Sequence, residues 1–168
     1  MNRHARTRRS AGYTLPEMLV VILIGATIAG LSFPEMSRMV RRSRLEEAAG
    51  RLESALRLSR QKALAHRTHY RLTLSPVLGQ YSVEFEDTSG SWVPDRDSLY
   101  TFPAGILFEG DTNGTAFTSV SSGVELIFEP RGTLAQANAP LEIFVYNDKG
   151  DTVEMQMVTT GRVRSWRR

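Results

Sequence analysis

The chain contains no cysteine, so disulfides and thiolate-held metals are excluded outright, while compartment stays open because an oxidising environment does not require cysteine. Catalytic signatures are missing as well. There is no glycine-rich phosphate loop, no Gly-x-Ser-x-Gly nucleophile elbow and no His-Glu-x-x-His zinc helix, which removes the motifs of phosphoryl, acyl and zinc-hydrolase chemistry. No repeat or low-complexity segment interrupts the 168 residues, enough for one modest domain with an appended helix and too few for two full domains. The expectation is a protein that is not an enzyme and carries no cofactor.

Acidic residues are absent from the first twelve positions, which hold Arg3, Arg6, Arg8 and Arg9. Without these four, the 21 Lys and Arg fall to 17 against 18 acids, so a formal charge of +3 becomes −1. The rest is segregated: residues 72–160 hold thirteen acids against Arg96, Arg131 and Lys149, a balance near −10. Arginine gathers instead between Arg38 and Arg71 and at the end of the chain, in Arg162, Arg164, Arg167 and Arg168. An acidic head with a basic fringe is the result.

An apolar run from Met18 to Phe33 follows the basic leader. Alone it is a little short for a bilayer span of ~20 residues; Tyr13 to Leu15 and the apolar stem of the following segment bring it within range. Leader arginines stay on the cytoplasmic side, placing the remainder of the chain beyond the inner membrane. A cleaved secretory signal would want a small-x-small site after the run, and Ser32-Phe33-Pro34 does not supply one. At the edge of this apolar segment stands Glu17. An unpaired carboxylate in lipid costs roughly 2.5 to 3.5 kcal/mol on insertion scales, so Glu17 calls for a partner. Pro16, one residue earlier, is tolerated in a first helical turn because its missing N–H would have had no partner there.

The stretch Gly12-Tyr13-Thr14-Leu15-Pro16-Glu17 resembles the class III signal of type IV prepilins and type II secretion pseudopilins, with Pro16 standing where an aliphatic residue is commonest. The resemblance implies cleavage between Gly12 and Tyr13 by a prepilin peptidase, N-methylation of Tyr13, and subunit assembly through Glu17. A freed Tyr13 amine on one subunit and Glu17 of the next would neutralise each other inside an apolar filament core.

From Leu15 to about Arg67 no turn cluster intervenes, and one long helix is expected, kinked or locally melted at Pro34. Its outer half repeats apolar residues three and four apart, at Leu45, Ala48, Ala49, Leu52, Ala55, Leu56, Ala63 and Leu64, a stripe for one buried face. Gly25 with Ala29, and Ala26 with Gly30, are small pairs four apart; they suit close helix approach or are simply tolerated in a span. Beyond the helix the period changes to two. His69–Ser75 and Gln80–Glu86 read as a hairpin, Val124–Phe128, Leu141–Asn147 and Thr152–Val158 as further strands, and residues 87–123 carry the weakest signal. Phe85, Tyr100, Phe128, Phe144 and Tyr146 alternate with polar residues, the spacing of core aromatics. The expected fold class is α+β and pilin-like, a long N-terminal helix packed on an antiparallel sheet. Its parts are a leader (1–12), a transmembrane or filament-core segment (13–34), an amphipathic outer helix (35–67) and a periplasmic sheet head with a basic tail (68–168).

The passage Leu56–Ala63 with Arg71–Ser75, and the ending Thr160-Gly161-Arg162-Val163-Arg164, are similar to the GspH/FimT group of minor pseudopilins. That resemblance implies a minor pseudopilin of a type II secretion system, anchored in the inner membrane and joined to major and other minor pseudopilins. The alternative it implies is a type IV pilus minor pilin that binds DNA in transformation through its Gly-Arg-x-Arg end. For the tail, Arg162, Arg164, Trp166, Arg167 and Arg168 suit phosphates and a stacked base, or a protein partner, or a solvated terminus whose strand carries Val163 inward. The acidic head disfavours a polyanion. His66 and His69 lack a positioned third ligand, and Asp111-Thr112-Asn113-Gly114 lacks the closing acid of a calcium loop, so no metal site is expected. Convergence of Asp95, Asp97, Glu109 and Asp111 is left open by the sequence.

Overall fold

The computed structural model describes residues 13–96, 98–112, 115–117, 123–135 and 141–167. The leader with Gly12, together with Asp97, Asn113, Gly114 and Arg168, lies outside the described residues. The chain divides into two compact units, Met1–Val40 and Arg41–Arg168.

Helix α1 runs from Leu15 to His66, 52 residues without a break at Pro34. It ends where Arg67 turns into the left-handed region at φ 54°, a conformation that stops helices. Thr68 then ties the chain to the second strand, its hydroxyl donating to the Glu86 carbonyl at 2.7 Å. In the first unit the apolar side chains are exposed all round the helix: six consecutive residues, Leu19 to Ile24, are each between 52% and 69% exposed. A helix apolar on every face needs an apolar surrounding. Among the described residues, no helix is long and apolar enough to cross a membrane.

In the second unit α1 buries Leu45, Ala48, Ala49, Leu52, Leu56, Ser59 and Ala63, a clean recurrence of three and four. Leu64, expected on this stripe, is 43% exposed, because Ser59 and Ala63 already hold that face and one further position turns outward. Exposed flanks carry i,i+4 pairs, Arg42 with Glu46 at 3.5 Å and Arg51 with Glu47 at 2.9 Å. Such surface pairs add only a few tenths of a kcal/mol each.

Among the described residues ten strands follow: β1 Tyr70–Ser75, β2 Gln80–Glu86, β3 Trp92–Pro94, β4 Tyr100–Thr101, β5 Ile106–Thr112, β6 Thr115–Phe117, β7 Val124–Phe128, β8 Leu141–Asn147, β9 Thr152–Met157 and β10 Val163–Arg167. They form two antiparallel sheets where the periodicity suggested one. The first has the order β3-β2-β1-β7 with β4 beside β2, the second β10-β9-β8-β5-β6. Phe128 bridges to Leu134, whose N–H reaches the Thr159 carbonyl at 3.1 Å, so this connection ties the two sheets. One buried core takes Leu72, Leu74, Val83 and Phe128 from the first sheet, Phe108, Ile143, Val145 and Met155 from the second, and the α1 stripe. Phe144 and Tyr146 are a correction: β8 alternates with Ile143 and Val145 buried, leaving both aromatics half-buried on the opposite face. On the outer side of the first sheet, Arg71 pairs with Glu84 and Glu125 and lies 4.5 Å from the Trp92 ring centroid.

Candidate assembly and contact sites

At the head of α1, the Thr14 carbonyl accepts from the Met18 N–H at 3.2 Å, which makes Thr14 the N-cap. Pro16 is then the second helical residue, where the missing N–H removes no intrahelical bond. Glu17 is the third, so Thr14-x-x-Glu17 has capping-box spacing and the carboxylate stands at the positive end of the helix dipole. This spacing lies within the Gly12–Glu17 stretch. Glu17 is exposed, as is Tyr13 at 73%, and no ion pair joins Glu17 to any described residue.

The C-terminal arginines are separated by a strand. β10 pairs with β9 in register from Val163 opposite Met157 to Arg167 opposite Val153, and alternation sends neighbouring side chains to opposite faces. Val163, Ser165 and Arg167 take the core face. There Val163 is buried, the Ser165 hydroxyl donates to Glu53 Oε2 at 2.8 Å, and Arg167 pairs with Glu46 of α1. Arg164 and Trp166 take the other face, with Trp166 39% exposed. β10 is an edge strand of its sheet.

The turn before β10 explains the glycine in Gly161-Arg162-Val163-Arg164. Gly161 has φ +72°, and a Cβ there would collide with the Gly132 carbonyl and sit 2.7 Å from Arg60 Cδ. Arg60 Nε donates to that same carbonyl at 2.9 Å, so the turn closes over a hydrogen bond between α1 and the 129–134 loop. Arg57, Arg60, Gln61, Gly161, Arg162 and Val163 line a shallow cavity of about 290 Å³ beside it.

A larger groove of about 730 Å³ runs between α1 and the first sheet, lined among others by Arg51, Ser59, Lys62, Tyr81 and Tyr100. Arg51 lies 5.0 Å from the Tyr100 centroid, and its bond to Glu47 raises its pKa. Burial raises the Tyr81 hydroxyl in turn. The Ser59 hydroxyl is buried without a hydrogen-bond partner.

His66 and His69 face separate partners, His66 Nδ1 meeting the Tyr70 hydroxyl at 2.8 Å and His69 Nδ1 meeting Glu86 Oε2 at 2.6 Å. Asp95 is taken by Lys62. Among the described residues no three His, Cys, Asp or Glu side chains cluster in a way that would hold a metal; Asp97 and Asn113-Gly114 fall outside them.

A helix capped at Thr14 and apolar on every side, followed by an α1 stripe packed on antiparallel sheets, is the fold of pilin-like proteins. The chain carries the prokaryotic N-terminal methylation motif, whose family model matches residues 7–33. In fold the chain is similar to solved minor pseudopilins and minor pilins. The minor pseudopilin EpsH from the type II secretion system of Vibrio cholerae superposes with a TM-score of 0.61 at 9% identity, over 74% of this chain and 96% of that one. The type IV minor pilin FimU of Pseudomonas aeruginosa PAO1 superposes with 0.56 at 20% identity, over 74% and 89%. No curated protein matches the sequence.

Proposed function

We propose that the protein is a minor pseudopilin of a type II secretion system: anchored in the inner membrane by the start of α1, cut after Gly12 by a prepilin peptidase, methylated on Tyr13, and assembled with major and other minor pseudopilins through Glu17. The observation that carries this reading is the all-round exposed apolar surface from Leu19 to Ile24 with a single unpaired carboxylate at its start. A lipid or filament interior covers such a surface, and a neighbour's terminal ammonium answers the carboxylate. Replacing Gly12 with a bulky residue is expected to leave a precursor longer by the twelve-residue leader; unchanged mobility of the product refutes the assignment.

The second reading is a type IV pilus minor subunit that captures DNA. Arg162 and Arg164 favour it, because neither has an ion-pair partner among the described residues. Against it, Arg164 shares its cross-strand row with Glu142, and the head around it is acidic. A gel shift of the parent protein against its Arg162→Ala, Arg164→Ala variant separates the two: salt-sensitive binding lost in the variant supports DNA capture, and absent binding rejects it. Deleting the gene and scoring exoprotein secretion, twitching and transformation together identifies the machine served.

A further inference from the structure

The end of α1 and the turn before β10 bring cations together without an acid between them. Arg57, Arg60 and Gln61 stand three and four apart, so they share one face of the helix. Gly161, at φ +72°, turns the chain so that Arg162 reaches the same place. These four residues, with Gly161 and Val163, line the cavity of about 290 Å³, and among the described residues no carboxylate lines it. Arg60 is half-buried and steered by its Nε bond to the Gly132 carbonyl at 2.9 Å, which leaves its Nη groups without a partner among the described residues. Arg162 is exposed, and its side chain has neither a hydrogen bond nor an ion pair among them. Arg57 pairs only with Glu53 one turn back, with its own side chain 59% exposed, and the other Glu53 oxygen is taken by the Ser165 hydroxyl. An exposed pair of this kind contributes little and leaves most of the Arg57 donors open.

We propose that this cavity receives an aspartate or glutamate side chain from a different pilin-like subunit. Guanidinium groups match a carboxylate through paired N–H donors. At about 290 Å³ the space sits at the bottom of the range for small-molecule sites, roughly 300 to 1,000 Å³, so it suits a single side chain. A nucleic-acid strand would need cations spaced along a path. Here Arg57, Arg60 and Arg162 gather at one cavity, while Arg164 stands in the row of Glu142 on the other face of the sheet and Arg167 is taken by Glu46. The contact rests on the minor-pseudopilin reading above: the neighbours of a minor subunit are other subunits, so the acid belongs to another chain.

The test puts a photoreactive benzoylphenylalanine in place of Gln61, which is exposed at the rim of the cavity, in the full chain expressed in its own cells, with adducts mapped by mass spectrometry. The expected adduct is an Asp- or Glu-containing peptide of another protein that carries its own N-terminal methylation motif. Arg162→Glu should lower its yield about tenfold through like-charge juxtaposition while leaving the urea midpoint at the parent value, because the Arg162 side chain holds nothing in the fold. Reversing the captured acid to arginine in the partner should restore the yield to the Arg162→Glu chain. An Arg162→Glu yield equal to the parent's overturns the contact. So does capture of nucleic acid, of a second copy, of a protein without that motif, or of nothing. In each of these cases an N-terminus at Tyr13 leaves the processed-subunit reading standing, whereas chains that keep residue 1 overturn that reading as well.

Discussion

Gly161→Ala should destabilise the protein far more than Gly150→Ala, although both glycines have positive φ, +72° and +89°. At Gly150 nothing lies within 4 Å of the added Cβ, so only the left-handed backbone of an L-residue opposes the change, about 1 to 2 kcal/mol. Gly161 meets the same strain and two further effects. Its Cβ would strike the Gly132 carbonyl and come within 2.7 Å of Arg60 Cδ, an overpacking of about 1 to 3 kcal/mol. Relief requires displacing Arg60 from the Gly132 oxygen, 2.9 Å away, and a charge-assisted bond of this kind is worth about 1.5 to 3 kcal/mol. The last two overlap, since moving Arg60 relieves part of the clash, so the expected excess at Gly161 is about 2 to 4 kcal/mol. Urea unfolding of the full chain in mild detergent, followed through Trp92 and Trp166, measures both variants. Equal losses for the two would show that the closed turn over Arg60 contributes nothing, and the structural account of this glycine would fail.

Two other outcomes are expected. Glu17→Gln keeps a residue competent for the capping box but removes the charge, so it should be processed normally and fail to assemble; assembly of the Gln variant at the parent level would assign Glu17 to capping rather than pairing. Asp87 is held below the usual carboxylate range, first by the Ser89 hydroxyl at 2.6 Å and then by the Ser91 N–H at 2.9 Å. Because the folded form has the lower pKa, its contribution is present at neutral pH and fades as pH falls through the folded-state midpoint; Ser89→Ala should raise the Asp87 midpoint in an NMR titration, and an unmoved midpoint would contradict the cause.

The sequence was most legible where one period dominated. α1 ends within a residue of its expected stop, and β2, β7 and β8 span the expected residues. β5 went unseen because Ile106–Thr112 places Gly110 and two acids among its apolar residues, which reads as loop. In β8 both phases contain large apolar side chains, Leu-Ile-Val on one and Phe-Tyr on the other, so alternation alone could not say which faced inward; packing of the branched residues against α1 and β9 decided it. The split into two sheets depends on pairings between distant segments, which no local pattern encodes. At the tail, residue type was readable and direction was not. Five cationic and aromatic side chains looked like one patch until β10 sent Arg167 to Glu46 and Arg164 to the other side.

The position of β10 at the rim of its sheet has a further consequence. A rim strand offers unpaired N–H and C=O groups to any passing strand, the usual route to uncontrolled edge-to-edge joining. Here three of the six residues from Arg162 to Arg167 are arginine, and a second copy approaching along the same rim would set guanidinium against guanidinium. Mutual repulsion thus protects the border from sticking to its own kind.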